Sequence, residues 1–129
     1  MNFQTDVYLD THAVIWLENG ELHKFKEKSL YYLPNYPLKI SPMVKLELQY
    51  LYERKRLTEP ADLIIDSIAQ KANFTICQKN WTDVVNIALT CDFTRDAFDR
   101  LIVAHAMLDN DILVSKDENL NNHYAHCVW

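Results

Sequence analysis

Glycine is almost absent from the 129-residue sequence and occurs once, at Gly20. No glycine-, serine- or proline-rich linker and no internal repeat interrupts the chain, so a domain boundary has no obvious position. With 49% hydrophobic residues, the chain can bury one sizeable core, whereas two domains of half this length would each be marginal. We therefore expect a single domain over residues 1–129.

Long apolar runs and paired cysteines are also lacking. No segment approaches the roughly 18 consecutive apolar residues of a membrane span, and residues 1–6 do not have the basic and then apolar pattern of a secretory signal. We therefore expect a cytoplasmic protein with no membrane partner. Cys77, Cys91 and Cys127 are odd in number and widely spaced, which argues against a disulfide framework or a CxxC site and favours a role in packing.

A surplus of basic residues is missing as well. Lysine and arginine total 13 against 18 acidic residues, and the net charge of −5 at first argues against a nucleic-acid partner. The sign of the net charge does not by itself exclude such a partner, because bound cations neutralise the charge of the carboxylates that hold them. Two short basic runs, at residues 24–28 and 53–56, are either solvated helix faces or phosphate-contacting patches.

Short apolar runs alternate with helical patterns along the chain. Helix-by-strand alternation predicts a parallel sheet covered on both faces, because each parallel connection needs a crossover of about a dozen residues or more. We expect an α/β fold, a three-layer α/β/α sandwich around a mostly parallel sheet of four to five strands. The predicted strands are residues 7–9, 38–40, 74–77 and 112–114, and residues 127–129 could add an edge strand.

A helical stretch is predicted after the first helix, which Gly20 ends. In this stretch we expect Leu22, Phe25, Leu30 and Leu33 to face inward. Further along, residues 97–108 are apolar around most of the helix circumference, which predicts a central helix.

Four acids from distant parts of the chain fall near one predicted edge of the sheet. Asp10 and Asp117 directly follow strands, at the carboxyl ends where parallel sheets bind ligands. Glu47 and Asp99 lie within about two turns of the starts of helices that begin near the same edge. Glu47 also stands beside Leu48 on the apolar side of its helix, where a carboxylate needs a partner. These four positions predict one acidic crevice.

Converging carboxylates require a cation. Two of them about 4 Å apart repel by roughly 4 kcal/mol at an effective dielectric near 20. A ligand set of oxygens without histidine or thiolate favours Mg²⁺ or Mn²⁺. Such an ion lowers the pKa of bound water and offsets charge on a leaving oxygen. The pattern therefore predicts hydrolysis of a phosphodiester by in-line attack of water.

Each acid also has a structural alternative. Asp10 and Asp117 could cap the helices that follow them. Glu47 could turn its carboxylate to solvent or pair with Lys45 or Arg54. These alternatives stay open at the level of single residues, although they do not predict that all the acids share one edge.

A fifth acid, Asp96, precedes Asp99 by three residues in a pattern that resembles a capping box. We interpret Asp96 as the N-cap of the helix that follows. His123 and His126, three residues apart, could bind metal, but a polar surface turn is favoured because no third ligand lies nearby in the sequence.

Four segments resemble the motifs of a known family, the PIN domains, in the version carried by VapC-type toxins of bacterial toxin–antitoxin pairs. They agree in order and spacing and together extend over essentially the whole chain. The clearest departure is Ala97, where these toxins usually have proline. The matching segments are residues 8–16, 41–48, 96–106 and 115–117.

The resemblance implies a PIN-like α/β fold, cleavage of RNA that depends on Mg²⁺ or Mn²⁺, and inhibition by a cognate antitoxin. It also implies a homodimer or a toxin–antitoxin hetero-oligomer. By motif, Ser115 matches a hydroxyl that helps to order the site, and Asp96 falls where many relatives carry a further acid that could support the metal ligands. The metal-site acids of the family correspond to Asp10, Glu47, Asp99 and Asp117.

Two rival functions remain. A phosphatase with an aspartyl nucleophile would have a second aspartate two residues after Asp10, where this chain has His12. A catalytically inactive PIN scaffold would bind protein or RNA without cutting. The RNA target, the cleavage sequence and the number of metal ions cannot be predicted from these residues.

Overall fold

A five-stranded parallel sheet forms the centre of the computed structural model, which describes residues 5–129. The strand order is β3-β2-β1-β4-β5, and every neighbouring pair is parallel. The prediction of a parallel sheet is thereby confirmed, including its edge strand. Residues 1–4, part of the segment interpreted as unlike a signal sequence, lie outside the described residues. The strands are β1 (Val7–Leu9), β2 (Leu38–Ile40), β3 (Phe74–Ile76), β4 (Ile112–Val114) and β5 (Cys127–Val128).

Within residues 5–129, seven α-helices connect these strands. Because the chain runs outward from β1 to β2 and β3 and then returns to β4 on the other side, right-handed crossovers place α1 to α4 on one face of the sheet and α5 and α6 on the other. The three-layer α/β/α arrangement is therefore confirmed. The helices are α1 (Thr11–Glu18), α2 (Glu27–Asn35), α3 (Pro42–Glu53), α4 (Ala61–Ala69), α5 (Trp81–Ala88), α6 (Ala97–Met107) and α7 (Glu118–His123).

The core lies around the central strand. All three residues of β1 are buried, which matches their position between two neighbours and two helical layers. In α6, five consecutive residues, numbers 102–106, are also buried, so the prediction of a central helix is confirmed. The three cysteines are unpaired and buried, as expected for packing residues. Within residues 5–129, no helix is long and apolar enough to cross a membrane.

The prediction for the stretch after Gly20 is wrong in two residues. Leu22 is 50% exposed and Leu30 is 40% exposed, whereas Phe25 and Leu33 are buried as expected. Gly20 adopts a left-handed φ of +69°, and a separate 3-10 turn, Leu22–Lys24, precedes α2. The break resets the helical phase, so a single periodic pattern cannot hold on both sides of it.

Candidate active site

The sheet reverses its winding direction between β1 and β4, and a cleft opens at the carboxyl ends of these two strands. Open α/β sheets bind ligands at such a switch point, because the helices on either side diverge there. The cavity has a volume of about 480 Å³. It is lined by Asp10, Thr11, His12, Trp16, Glu47, Asp96, Asp99, Ile102, Lys116 and Asp117.

Asp10 lies at the junction of β1 and α1 and is held through both carboxylate oxygens. Oδ1 accepts a hydrogen bond from the backbone N–H of Ala13 at 2.9 Å, which caps α1. Oδ2 accepts a hydrogen bond from the hydroxyl of Ser115. Burial raises the pKa of Asp10, and these two hydrogen bonds partly offset the shift. The carboxylate orientation is therefore fixed from two elements of the fold.

Ser115 links Asp10 to Asp117. Its buried hydroxyl oxygen accepts a hydrogen bond from the backbone N–H of Asp117 at 3.1 Å. Asp117 in turn caps α7, because its Oδ1 accepts from the N–H of Leu120 at 2.9 Å. The end of β4 therefore presents a serine and an aspartate in a fixed relation to the end of β1.

Glu47 reaches the cleft from α3 and is held by α1. The hydroxyl of Thr11, itself buried, donates a hydrogen bond to Oε1 of Glu47. Thr11 directly follows Asp10. The first turn of α1 therefore orients both Glu47, through Thr11, and Asp10, through Ala13. No sequence pattern indicated a role for Thr11, although this residue lies inside the first of the four motif segments. Its partner is 36 residues away and could not be identified without the fold.

Neither cation suggested as a partner of Glu47 pairs with it. Lys45 forms a salt bridge with Asp62 on α4 at 2.9 Å. The Arg54 guanidinium donates to the hydroxyl of Tyr50 at 3.0 Å. The ion-pair alternative for Glu47 is therefore wrong.

Asp96 and Asp99 stand at the start of α6. Oδ1 of Asp96 accepts a hydrogen bond from the N–H of Asp99 at 3.1 Å, so Asp96 caps the helix as expected. The pKa of Asp99 is raised to about 7, first by burial and then by the neighbouring negative charges. In decreasing order of effect, the charges are those of Asp96, Asp117, Glu47 and Asp10.

Helix capping and position in the cleft are therefore not alternatives. Asp10, Asp96 and Asp117 each cap a helix and each also line the cavity. A helix N-terminus carries partial positive charge, which stabilises a carboxylate placed there. The fold can thus hold several acids near one another because helix starts converge at this edge.

The donor chemistry of the cleft fits a hard divalent cation. Its possible ligands include several carboxylates, and the pKa of Asp99, which burial raises first, is raised further by the negative charges of the other acids. They surround a cavity rather than a single point, and among residues 5–129 no three His, Cys, Asp or Glu side chains form a preassembled metal-binding group. Outside the cleft, His123 and His126 are both exposed, and the His123 ring stacks on Phe93 with centroids 4.6 Å apart.

Comparison with known proteins identifies the family. The family model of the PIN domain matches residues 7–125. A VapBC2 complex from Rickettsia felis, bound to promoter DNA, is similar in structure with a TM-score of 0.64 and 18% identity over 95% of this chain and 96% of that one. A toxin–antitoxin complex from Klebsiella pneumoniae gives a TM-score of 0.60 and 14% identity over 95% and 96% of the two chains.

A third solved structure, VapBC-1 from nontypeable Haemophilus influenzae, has a TM-score of 0.62 and 17% identity over 91% of this chain and 93% of that one. At these identities the structural likeness shows the fold. The sequence comparison with curated proteins finds no match. Because the family model extends over most of the chain and the fold agrees with it, the chain belongs to the PIN domain family.

Proposed function

We propose that this chain is a divalent-metal-dependent endoribonuclease toxin of the VapC type, neutralised by a cognate antitoxin. One observation carries the proposal: carboxylates from four separate segments of the chain line a single cleft at the switch point of the sheet. Membership of the PIN domain family supports a nuclease. An acidic cleft without a cation would repel a phosphodiester, so the activity requires Mg²⁺ or Mn²⁺.

The proposed metal ligands are Asp10, Glu47, Asp99 and Asp117. When bound, the cation would lower the pKa of a coordinated water and offset charge on the leaving oxygen. Asp10 is oriented for this role by Ser115 and Ala13, and Glu47 by Thr11. Asp99 must lose a proton to act as a ligand, since its pKa lies near 7 before cation binding. Asp96 supports Asp99 by capping α6.

The proposed partner is a small antitoxin with a basic segment that covers the cleft. The three similar structures are all described as VapBC or toxin–antitoxin complexes. The acids that line the cleft complement an arginine-bearing segment, because guanidinium binds carboxylate through paired hydrogen bonds. Accordingly, we propose that the toxin acts in the cytoplasm, as a homodimer or within a toxin–antitoxin hetero-oligomer.

The test is to purify the chain without antitoxin, incubate it with total bacterial RNA and Mn²⁺, and map new 5′ ends. We expect new ends that disappear in excess EDTA and with Asp10→Asn. A matched control is Asp66→Asn, since Asp66 is an exposed acid on α4 outside the cleft and should leave the ends unchanged. Identical ends from the Asp10→Asn protein, or cleavage that persists in EDTA, would rule out the metal-nuclease mechanism.

An inactive PIN scaffold is the second candidate. The observation that favours it is the lack, among the described residues, of a preassembled group of three metal-ligating side chains. Such a scaffold would bind its partner or RNA and produce no new 5′ ends with any divalent cation. An aspartyl-nucleophile phosphatase would leave RNA intact and release phosphate from small monoesters. His12 argues against this function, because it occupies the position where such an enzyme has its general-acid aspartate.

A further inference from the structure

A second cavity adjoins the acidic cleft on the side of β5 and has different chemistry. Its volume is about 420 Å³. Lys116 lines both this cavity and the acidic cleft, so the two adjoin at that side chain. The lining residues are Lys26, Lys116, Glu118, Asn121, Asn122 and Trp129.

An aromatic cluster borders both cavities. Trp129 packs on Phe25 and Trp16, with ring centroids 4.9 Å and 5.5 Å apart. Trp16 lines the acidic cleft and Trp129 lines the second cavity, and both remain half-buried. The Lys116 ammonium lies 5.7 Å from the centroid of the Trp16 ring. Each cavity is therefore lined by at least one lysine and one tryptophan.

The two lysines of the second cavity are not neutralised by ion pairs. Within residues 5–129, neither Lys26 nor Lys116 forms a salt bridge, whereas Lys24 pairs with Glu21 at 3.5 Å. Glu118 is the single acid that lines this cavity. On a chain of net charge −5, the lining of the second cavity thus carries two lysines against one acid.

We propose that the second cavity binds single-stranded RNA next to the acidic cleft, with Lys26 and Lys116 on backbone phosphates and Trp129 stacked on an unpaired base. This inference rests on the proposed ribonuclease function and names the substrate class of that site. Lysines in a groove and an aromatic face for each base are the combination by which proteins hold single strands. A paired base could not stack on Trp129, so the site discriminates against duplex RNA.

The basic run at residues 24–28 provides a matched control. Lys26 and Lys28 are two residues apart and both exposed, but only Lys26 lines the cavity. The experiment measures fluorescence anisotropy of a labelled, unstructured RNA of about 12 nucleotides, and of a duplex of equal length, at several KCl concentrations. Every protein carries Asp10→Asn so that the RNA stays intact.

We expect Lys26→Ala and Lys116→Ala each to weaken single-strand binding and to reduce the salt dependence by about 0.7 in the slope of log K against log salt. Lys28→Ala should leave affinity and slope unchanged. Trp129→Ala should weaken single-strand binding about fivefold or more, with the slope unaltered. Trp129→Phe keeps an aromatic face and should restore most of the affinity, which separates stacking from a packing defect.

Equal slopes for the parent, Lys26→Ala and Lys28→Ala proteins would overturn the proposal, as would duplex binding that depends equally on Trp129. The cleavage assay separates this inference from the function on which it rests. If a chain with Asp10 intact cuts RNA but the lysine variants bind like the parent, the proposal of RNA binding in the second cavity is wrong and the proposed nuclease function is supported. If the chain with Asp10 intact cuts no RNA and the lysine variants lose binding as expected, RNA binding in the second cavity is supported and the proposed nuclease function is wrong.

Discussion

The hydroxyl of Ser115 donates a hydrogen bond to Oδ2 of Asp10, across 105 positions of the sequence. The same hydroxyl oxygen accepts from the N–H of Asp117 at 3.1 Å, and the carbonyl of Ser115 accepts from the Asn121 side chain at 2.8 Å. Ser115 is fully buried, so water cannot replace it. One serine thus fixes the relation between two of the proposed metal ligands.

Ser115→Ala should lower Mn²⁺ affinity by about 10- to 100-fold, because partners that orient metal ligands have effects of this size. Stability should fall by about 1 kcal/mol through the lost hydrogen bond. Isothermal titration calorimetry and urea unfolding measure the two effects. Ser29→Ala is the matched control: Ser29 is also buried, but its hydroxyl donates to the backbone of Lys26 at 2.9 Å. It should lose similar stability and keep Mn²⁺ affinity; an equal loss of affinity in both variants would contradict the assignment.

Thr11→Val should release the carboxylate of Glu47 without changing the size of the buried side chain. We expect Mn²⁺ affinity and RNA cleavage to fall by about tenfold or more, since Glu47 would lose its orientation. Thr11→Ser retains the hydroxyl and should retain most of both. A Ser variant as impaired as the Val variant would show that the methyl group, not the hydrogen bond to Glu47, is what matters.

Asp99→Asn should stabilise the metal-free protein at pH 8. The folded-state pKa of Asp99 is raised to about 7, so its contribution to stability is present below the unfolded value and is lost as the pH rises through 7. The asparagine side chain does not ionise and avoids this loss. The free energy of unfolding of the variant, relative to that of the parent, should therefore increase from pH 4 to pH 7 and then level off at roughly 1–3 kcal/mol. Urea unfolding in EDTA measures it. Asp66→Asn, at an exposed site on α4, is the control for the substitution itself. A stability difference for Asp99→Asn that does not change with pH would contradict the raised pKa.

Lys79 forms a largely buried ion pair with Asp111, which directly precedes β4, at the edge of the sheet opposite to the acidic cleft. Its ammonium contacts Asp111 at 2.8 Å and the carbonyl of His105 at 2.6 Å, and the Lys79 and Asp111 side chains are only 13% and 9% exposed. Lys79→Met should cost about 3–5 kcal/mol, because it leaves Asp111 buried and unpaired.

The double variant Lys79→Met/Asp111→Asn should recover much of the stability lost with Lys79→Met, since the uncompensated charge is gone. Lys71→Met on an exposed site is the control and should change stability by less than about 0.5 kcal/mol. Urea unfolding followed by circular dichroism gives all three values. A double variant no more stable than Lys79→Met would show that packing, and not charge, accounts for the loss.

Much of the fold could be predicted because its determinants are local. The apolar strands, the serine N-cap and proline at the start of α3, and the apolar surface of α6 each depend on neighbouring residues. The errors arose where local periodicity was extended across a break. Leu22 and Leu30 were expected inside because one helix was assumed on both sides of Phe25, whereas the chain makes a 3-10 turn there.

The sequence by itself determined which acids stand at strand ends and helix starts, since capping chemistry and apolar runs are properties of short segments. Only the tertiary structure decided the partners of those acids. Ser115 on Asp10 and Thr11 on Glu47 are contacts between residues 105 and 36 positions apart, and no local pattern encodes such a pairing. The position of the second cavity beside the acidic cleft, with Lys116 lining both, is likewise a consequence of folding, because it depends on where β1, β4 and β5 bring their carboxyl ends together.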